Sequence, residues 1–213
     1  MIDQQTGLNL IPHSVDLSRH GSDLVLSSKI PLAPAVDRTA DWLHYWATKT
    51  PDQVFLSERS ETGWRDVTFK QALAAVRAIA TSLRARKMGQ ETPIVILSGN
   101  SVNHALLSYG AQYAGVPTVP LAEQYSLITE AHGRLIYVLD KVRPKMAYTD
   151  DADAYASALA LPQLQGVEIV ATQTDGAPCA VTSFASLLAG DSSQDADAIL
   201  AATGPDTVAK ILF

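Results

Sequence analysis

Only one cysteine, Cys179, stands in the 213 residues. An internal disulfide and any paired-cysteine redox or zinc motif are therefore excluded. A lone cysteine is expected as a small core residue. Basic residues are missing from one stretch: all 16 Lys and Arg except Lys210 lie at or before Lys145, with none from Met146 to Ala209. Against 22 acidic residues this leaves a net charge of -6. Such a chain is a poor neutraliser of nucleic-acid phosphates and a poor membrane-surface helix former, so neither nucleic acid nor membrane is expected as a partner. The acidic stretch reads as a solvated face. No apolar run approaches the roughly 18 residues of a membrane span. Met1–Leu10 carries Asp3 and polar residues where a secretory signal would be basic and then apolar, so the cytoplasm is the expected compartment.

Several catalytic signatures are also absent. There is no GxxxxGK[ST] or GxGxxG phosphate cradle, no GxSxG nucleophile turn and no HExxH. His13, His20, His44, His104 and His132 are scattered, so no metal site is expected. Asp150, Asp151 and Asp153 precede a helical segment, where negative charge suits the helix dipole.

What remains is an ordinary globular composition, 47% hydrophobic and 18% charged, long enough to bury a core. Residues 1–36, punctuated by Pro12, Pro31 and Pro34, read as an extended N-terminal arm. Residues 37–213 read as an α/β unit. Ala40–Thr48 is an amphipathic helix ended before Pro51, and Val54–Leu56 with Trp64–Val67 is a hairpin. Thr68 is an N-cap for a helix carrying Phe69, Leu73, Val76, Ala80 and Leu83 on one stripe, with Gly89 placed to stop it. Pro93–Leu97 is a strand buried on both faces, and Val102–Tyr113 a helix closed by Gly115. Val116–Leu121 is extended, although its prolines sit badly in a central strand. A helix over Leu135–Val142, a strand at Lys145–Tyr148 and a helix at Tyr155–Leu161 follow. Then come a strand at Val167–Val170, a helix at Phe184–Leu188 and a final strand at Val208–Phe213. This alternation predicts a doubly wound, mostly parallel sheet with helices on both faces. Ligands of such sheets lie beyond the carboxyl ends of the strands, which makes Asn100 and Ser101 the candidate substrate-binding residues, against a plain helix cap as the alternative.

Several segments resemble the N-terminal region of the adenylate-forming acyl-CoA synthetases. They are Asp41–Ala47, Pro51-Asp52, Phe55–Arg59, Val67–Leu73, Ile96–Ser101 with His104–Leu107, and Ala114–Leu121. Ile96–Ser101 and His104–Leu107 are most similar to the feruloyl-CoA synthase branch. Phe69 departs from the Tyr of the family's first core motif, and Glu123-Gln124 from the small residues of that branch. Gly204–Phe213 is similar to the segment just before the family's Ser/Thr/Gly-rich phosphate loop.

The resemblance implies an incomplete N-terminal portion of an AMP-forming acid:CoA ligase, stopping before that loop. The parent would use ATP, Mg²⁺ and CoA on ferulate or a related hydroxycinnamate. The fragment would bind no cofactor, hold no catalytic, nucleotide or metal residues, and be inactive. Its partners would be small-molecule substrates, the remainder of the same enzyme, and a second copy through exposed apolar surface. Another acyl- or aryl-CoA ligase, a complete non-catalytic α/β binding module and a stand-alone nucleotide-binding domain stay open beside it.

Overall fold

Strands that are apolar at consecutive positions must be covered on both faces. That requirement organises the computed structural model, which describes residues 14–32, 34–60, 62–190 and 195–213. His13 and the first ten residues fall outside them. The chain forms two units, Met1–Val36 and Asp37–Phe213.

In the first unit, the expected extended arm is a hairpin. β1 (Val15–His20) pairs antiparallel with β2 (Asp23–Ser28) across a turn in which Gly21 takes φ +64. Alternation puts Val15, Leu17, Leu24 and Leu26 on one face, all exposed. The run Leu24-Val25-Leu26 hides that period of two in the sequence.

The second unit begins with α1 (Thr39–Lys49). The Asp41 carboxylate accepts the Arg38 N–H at 3.1 Å and pairs with its guanidinium at 3.0 Å, tying off the helix start. β3 (Val54–Ser60) and β4 (Gly63–Thr68) form the expected hairpin. Thr68 and Gln71 make a reciprocal capping box that opens α2 (Phe69–Ala85). This helix does not run to Gly89. Lys87 turns the chain in the left-handed region, φ 57, because Met88 is drawn into the core and its N–H bonds the Leu83 carbonyl.

β5 (Ile94–Ile96), α3 (Val102–Tyr113), β6 (Thr118–Pro120), α4 (Gln124–Leu127) and α5 (His132–Val142) follow. β7 (Met146–Asp151) and α6 (Ala156–Leu159) come next. The helix expected over Tyr155–Leu161 is one short turn, followed by a 3-10 turn at Pro162–Leu164. β8 (Glu168–Gln173), β9 (Val181–Ser183), α7 (Phe184–Leu188) and α8 (Ala196–Ala201) complete the unit.

Five strands form one parallel sheet in the order β6-β5-β7-β8-β9. Period-two alternation divides its side chains. Ile94, Ile96, Met146, Tyr148 and Val170 pack with α2 and α3, while Val95, Ala147, Ile169 and Ala171 pack with α5 and α6.

β6 sits at the edge, where its prolines are tolerated. The strand expected at Val208–Phe213 reduces to one parallel bridge, Lys210 to Thr118. Thr118 N–H donates to Ala209 and its carbonyl accepts from Ile211. The next β6 residue on that side is Pro120, which has no N–H, so the ladder ends. Cys179, expected in the core, is exposed in the loop before β9.

α8 is only six residues long, too short to hold itself. A polar clasp secures it. Arg77 forks onto the Asp197 carboxylate at 2.7 and 2.8 Å, and the buried Tyr113 hydroxyl donates to the same group at 2.5 Å. With that proton committed, the Tyr113 oxygen accepts from His44 Nε2–H at 2.9 Å. Burial, then the Asp197 hydrogen bond, pushes the Tyr113 hydroxyl up to about 12. The hydrogen bond from Tyr113 holds Asp197 below its ordinary 3.8. Burial, then Arg77, holds His44 below 6.5.

Both Asp197 and His44 bind protons less readily folded than unfolded, so each contributes stability at high pH that acid removes. The His44 contribution is complete above about pH 6.5 and is lost as pH falls towards its lower folded value. The Asp197 contribution is lost as pH falls below the ordinary carboxylate value. Urea titrations should show stability declining from pH 7 to 5, with His44→Gln flattening that limb. Asp197→Asn should flatten the one below pH 4.

α3 crosses α2 at Gly110, where an added Cβ would lie 2.5 Å from Ile79 Cγ2. Gly110→Ala is expected to cost about 2 kcal/mol through forced separation of the two helices, measurable by thermal melting.

Candidate functional site

In a doubly wound sheet, ligands bind where the strand order reverses, beyond the carboxyl ends. Here the chain leaves β5 for β6 on one side and reaches β7 on the other, so that point lies between β5 and β7. The turn Ser98–Ser101 leaves β5, and Asp150 lies near the end of β7.

Ser101 bridges the crevice. Its Oγ accepts the His104 N–H at 3.0 Å, capping α3, and donates to Asp150 Oδ1 at 2.9 Å. Tyr148 donates to the same oxygen at 2.5 Å. The Tyr148 proton being so placed, Thr172 Oγ1 donates to the phenolic oxygen at 2.9 Å and accepts from Asn103 Nδ2 at 3.0 Å. Asn103 Oδ1 in turn accepts from Arg65 Nη2 at 2.9 Å. Burial, reinforced by Asp150, raises the Tyr148 hydroxyl far above its ordinary value, so it serves as a donor and not as a base.

Arg65 also pairs with Glu58 at 2.7 Å, and the other Glu58 oxygen accepts the Val102 N–H at 2.6 Å. The first turn of α3, where an incoming anion would find free amides, thus already holds the chain's own carboxylate. On the other side of the turn, the Tyr155 hydroxyl donates to Glu123 Oε1 at 3.1 Å. Burial and that bond raise Tyr155 well above its ordinary value. Glu123 lies so close over Gly99 that a Cβ there would be 2.9 Å from Oε1.

The two sequence candidates part company here. Ser101 is a cap and a bridge, whereas Asn100 is exposed, with no side-chain partner among the described residues. Beside them is a residue that sequence reasoning set aside. His104 Nδ1 lies 3.0 Å from the Gly99 carbonyl and 3.1 Å from the Ser98 hydroxyl, two contacts that tie the ring to the turn. Its Nε2 has no hydrogen-bond partner among the described residues. The other described histidines stand elsewhere: His20 on the hairpin, His44 in the clasp, and His132 buried against the Ser126 carbonyl at 3.0 Å. Asp151 does not face the crevice chemistry; it accepts the N–H groups of Asp153 and Ala154 and ties the turn after β7.

Arg65, Glu58, Asn103, Tyr148, Asp150 and Thr172 escaped the motif search. One signal was available: polar residues near the carboxyl ends of otherwise apolar strands, as in Tyr148-Thr149-Asp150. As a set, the crevice is rich in acceptors and poor in cations. Among the described residues no group of three or more His, Cys, Asp or Glu could hold a metal ion.

A family profile described as AMP-binding enzyme matches residues 43–213. No curated protein matches the chain in sequence. Among solved structures, the chain is similar to a benzoate CoA ligase from Burkholderia xenovorans LB400, with 19% identity and TM-score 0.60. That match covers 82% of this chain and 32% of the other. It is similar to a luciferase-like enzyme from the nonluminescent mealworm Zophobas morio, with 15% identity and TM-score 0.61, covering 82% and 39%. A putative long-chain-fatty-acid CoA ligase from Rhodopseudomonas palustris matches with 21% identity and TM-score 0.57, covering 71% and 36%. At these identities the likeness establishes the fold. The chain spans about a third of the length of these relatives.

Ser101→Ala removes a cap and one of Asp150's donors, and should cost about 1–2 kcal/mol in denaturant unfolding. Asn100→Ala should leave stability within about 0.5 kcal/mol. A loss at Asn100 as large as that at Ser101 would mean the exposed side chain has a structural role.

Proposed function

The chain belongs to the AMP-binding enzyme family, and from that premise we propose that it is the N-terminal portion of an ATP-dependent acid:CoA ligase acting in the cytoplasm. The observation that carries this reading is the match over residues 43–213. The shared fold with the two CoA ligases agrees with it. The acid is ferulate or a related hydroxycinnamate, a choice resting on the resemblance of Ile96–Ser101 and His104–Leu107 to the feruloyl branch.

In this reaction a carboxylate oxygen attacks the α-phosphorus of ATP. The bond from that phosphorus to the bridging oxygen breaks, and pyrophosphate leaves. The CoA sulfur then attacks the acyl carbon, AMP departs with the shared oxygen, and the thiol proton passes to solvent. The described residues do not fit the magnesium nucleotide by themselves. The α3 amides meet Glu58, the crevice carboxylates already have donors, and no metal-ligand cluster is present among the described residues.

This chain's own contribution is to shape one wall of the acid and nucleotide site. Beside the turn the chain offers the exposed Asn100 and the half-buried His104, whose Nε2 has no partner among the described residues. An imidazole nitrogen without a partner in the chain can exchange a hydrogen bond with a phenolic hydroxyl.

The 213 residues alone, given ATP, Mg²⁺, CoA and ferulate, should release no pyrophosphate. The full-length product of the same gene should release it with ferulate faster than with benzoate or a fatty acid. Release by the isolated chain would overturn the assignment of inactivity. Preference for benzoate or a fatty acid would overturn the hydroxycinnamate in favour of another acyl- or aryl-CoA ligase. No release with any acid would favour a non-catalytic binding module.

A further inference from the structure

The opposite, amino-terminal end of the sheet has the reverse electrostatic character. A cleft of about 460 Å³ lies there, lined by Arg86, Thr92, Arg143, Lys145 and Glu168 around Met88, Pro144 and Gly166. Its walls come from the end of α2 and the segments entering β5, β7 and β8. Three cations thus face one carboxylate, in a chain whose net charge is -6.

That carboxylate is already engaged. Glu168 receives the Arg86 Nε–H at 3.0 and 3.1 Å and the Thr182 hydroxyl at 3.1 Å. Arg86 Nη1 is spent on Ser82, at 3.2 Å to its carbonyl and 2.6 Å to its hydroxyl. Among the described residues, Arg143 and Lys145 form no ion pair. Helix dipoles account for part of this charge, because Arg86 and Arg143 follow the C-termini of α2 and α5. They do not account for Lys145, which precedes a strand.

The backbone adds an independent observation. Arg143 occupies the left-handed region with φ 46, a position that favours glycine, and so carries its guanidinium at a conformational cost. Pro144 follows it and is buried, fixing the direction in which the chain enters β7.

We propose that this cleft binds a small polyanion carrying two or more phosphate groups. Arg143 and Lys145 supply the principal contacts, and the engaged Arg86–Glu168 pair forms one rigid wall. A guanidinium fork matches phosphate oxygens bidentately, while the ammonium acts as a mobile point charge. The cleft volume falls within the range usual for small-ligand pockets. The assignment does not depend on the ligase reading, since it lies at the end of the sheet away from Ser98–Ser101.

The test is titration of the 213-residue chain with inorganic tripolyphosphate at low and at physiological salt, followed by backbone amide NMR shifts. Parallel arms use ATP and an oligoglutamate peptide. Tripolyphosphate should shift amides around Arg143, Lys145 and Gly166 but not those of Ser98–Ser101. Equal affinity for ATP would show that phosphates alone are read, and tighter ATP binding that a nucleoside adds to them. Arg143→Gln with Lys145→Gln should weaken binding at least about tenfold, whereas Lys49→Gln with Lys70→Gln should not.

Arg143→Gly separates the binding role from a structural one. It relieves the backbone and should raise Tm while weakening tripolyphosphate binding. Absence of binding, shifts spread evenly over the basic residues, or equal losses in the Lys49/Lys70 variant would overturn the proposal. So would binding of the peptide but not of tripolyphosphate, which would assign the cleft to an acidic protein partner.

Discussion

One carboxylate oxygen organises the carboxyl end of the sheet. Asp150 Oδ1 receives the protons of Ser101 and Tyr148, and through that double commitment fixes the direction of every hydrogen bond behind it. Tyr148 must then accept from Thr172, Thr172 from Asn103, and Asn103 from Arg65. The chain of donors reaches from β7 through β8 and α3 to the β3–β4 hairpin. It makes a small outlying ribbon part of the same rigid wall as the central strands. The network is part-buried: Tyr148 and Asn103 lie inside and would be left unsatisfied if their partners moved, while Arg65 and Thr172 reach solvent.

The strands and helices were largely legible in the sequence because they follow from local chemistry. Thr68 and Gln71 announce a capping box within four residues. Ile94–Ile96 announces a two-sided strand within three. Failures came where a distant partner decided the outcome. Met88 ends α2 by entering a core that the helix sequence does not contain. Pro120 ends the Lys210 ladder from the neighbouring strand. The site was legible only as a place, the turn at 98–101. Its members are joined across separations of 49 residues for Ser101–Asp150 and 69 for Asn103–Thr172, which no motif spans. Their polarity inside apolar strands was visible, but their pairing was not.

The two ends of the sheet differ in what they leave open. At the carboxyl end, carboxylates dominate, and those at the crevice have already found donors within the chain. At the amino end, two cations have found no carboxylate among the described residues. This reverses the usual disposition, in which strand carboxyl ends and the helix N-termini beyond them receive anions. The reversal has a specific cause: Glu58, carried in by the β3–β4 hairpin, occupies the α3 N-terminus.

That placement constrains any nucleotide chemistry on this scaffold. An anion approaching the α3 N-terminus would have to displace Glu58 from both Val102 N–H and Arg65, exchanging one satisfied carboxylate for another charge. Free amides, and not paired ones, stabilise developing phosphate charge. In the proposed ligase, the groups that hold the triphosphate therefore approach from elements other than α3. This unit supplies instead a stiff boundary, with the exposed Asn100 and the half-buried His104 beside it. The Asp150 network keeps that boundary in one place by tying β7, β8, α3 and the β3–β4 hairpin together.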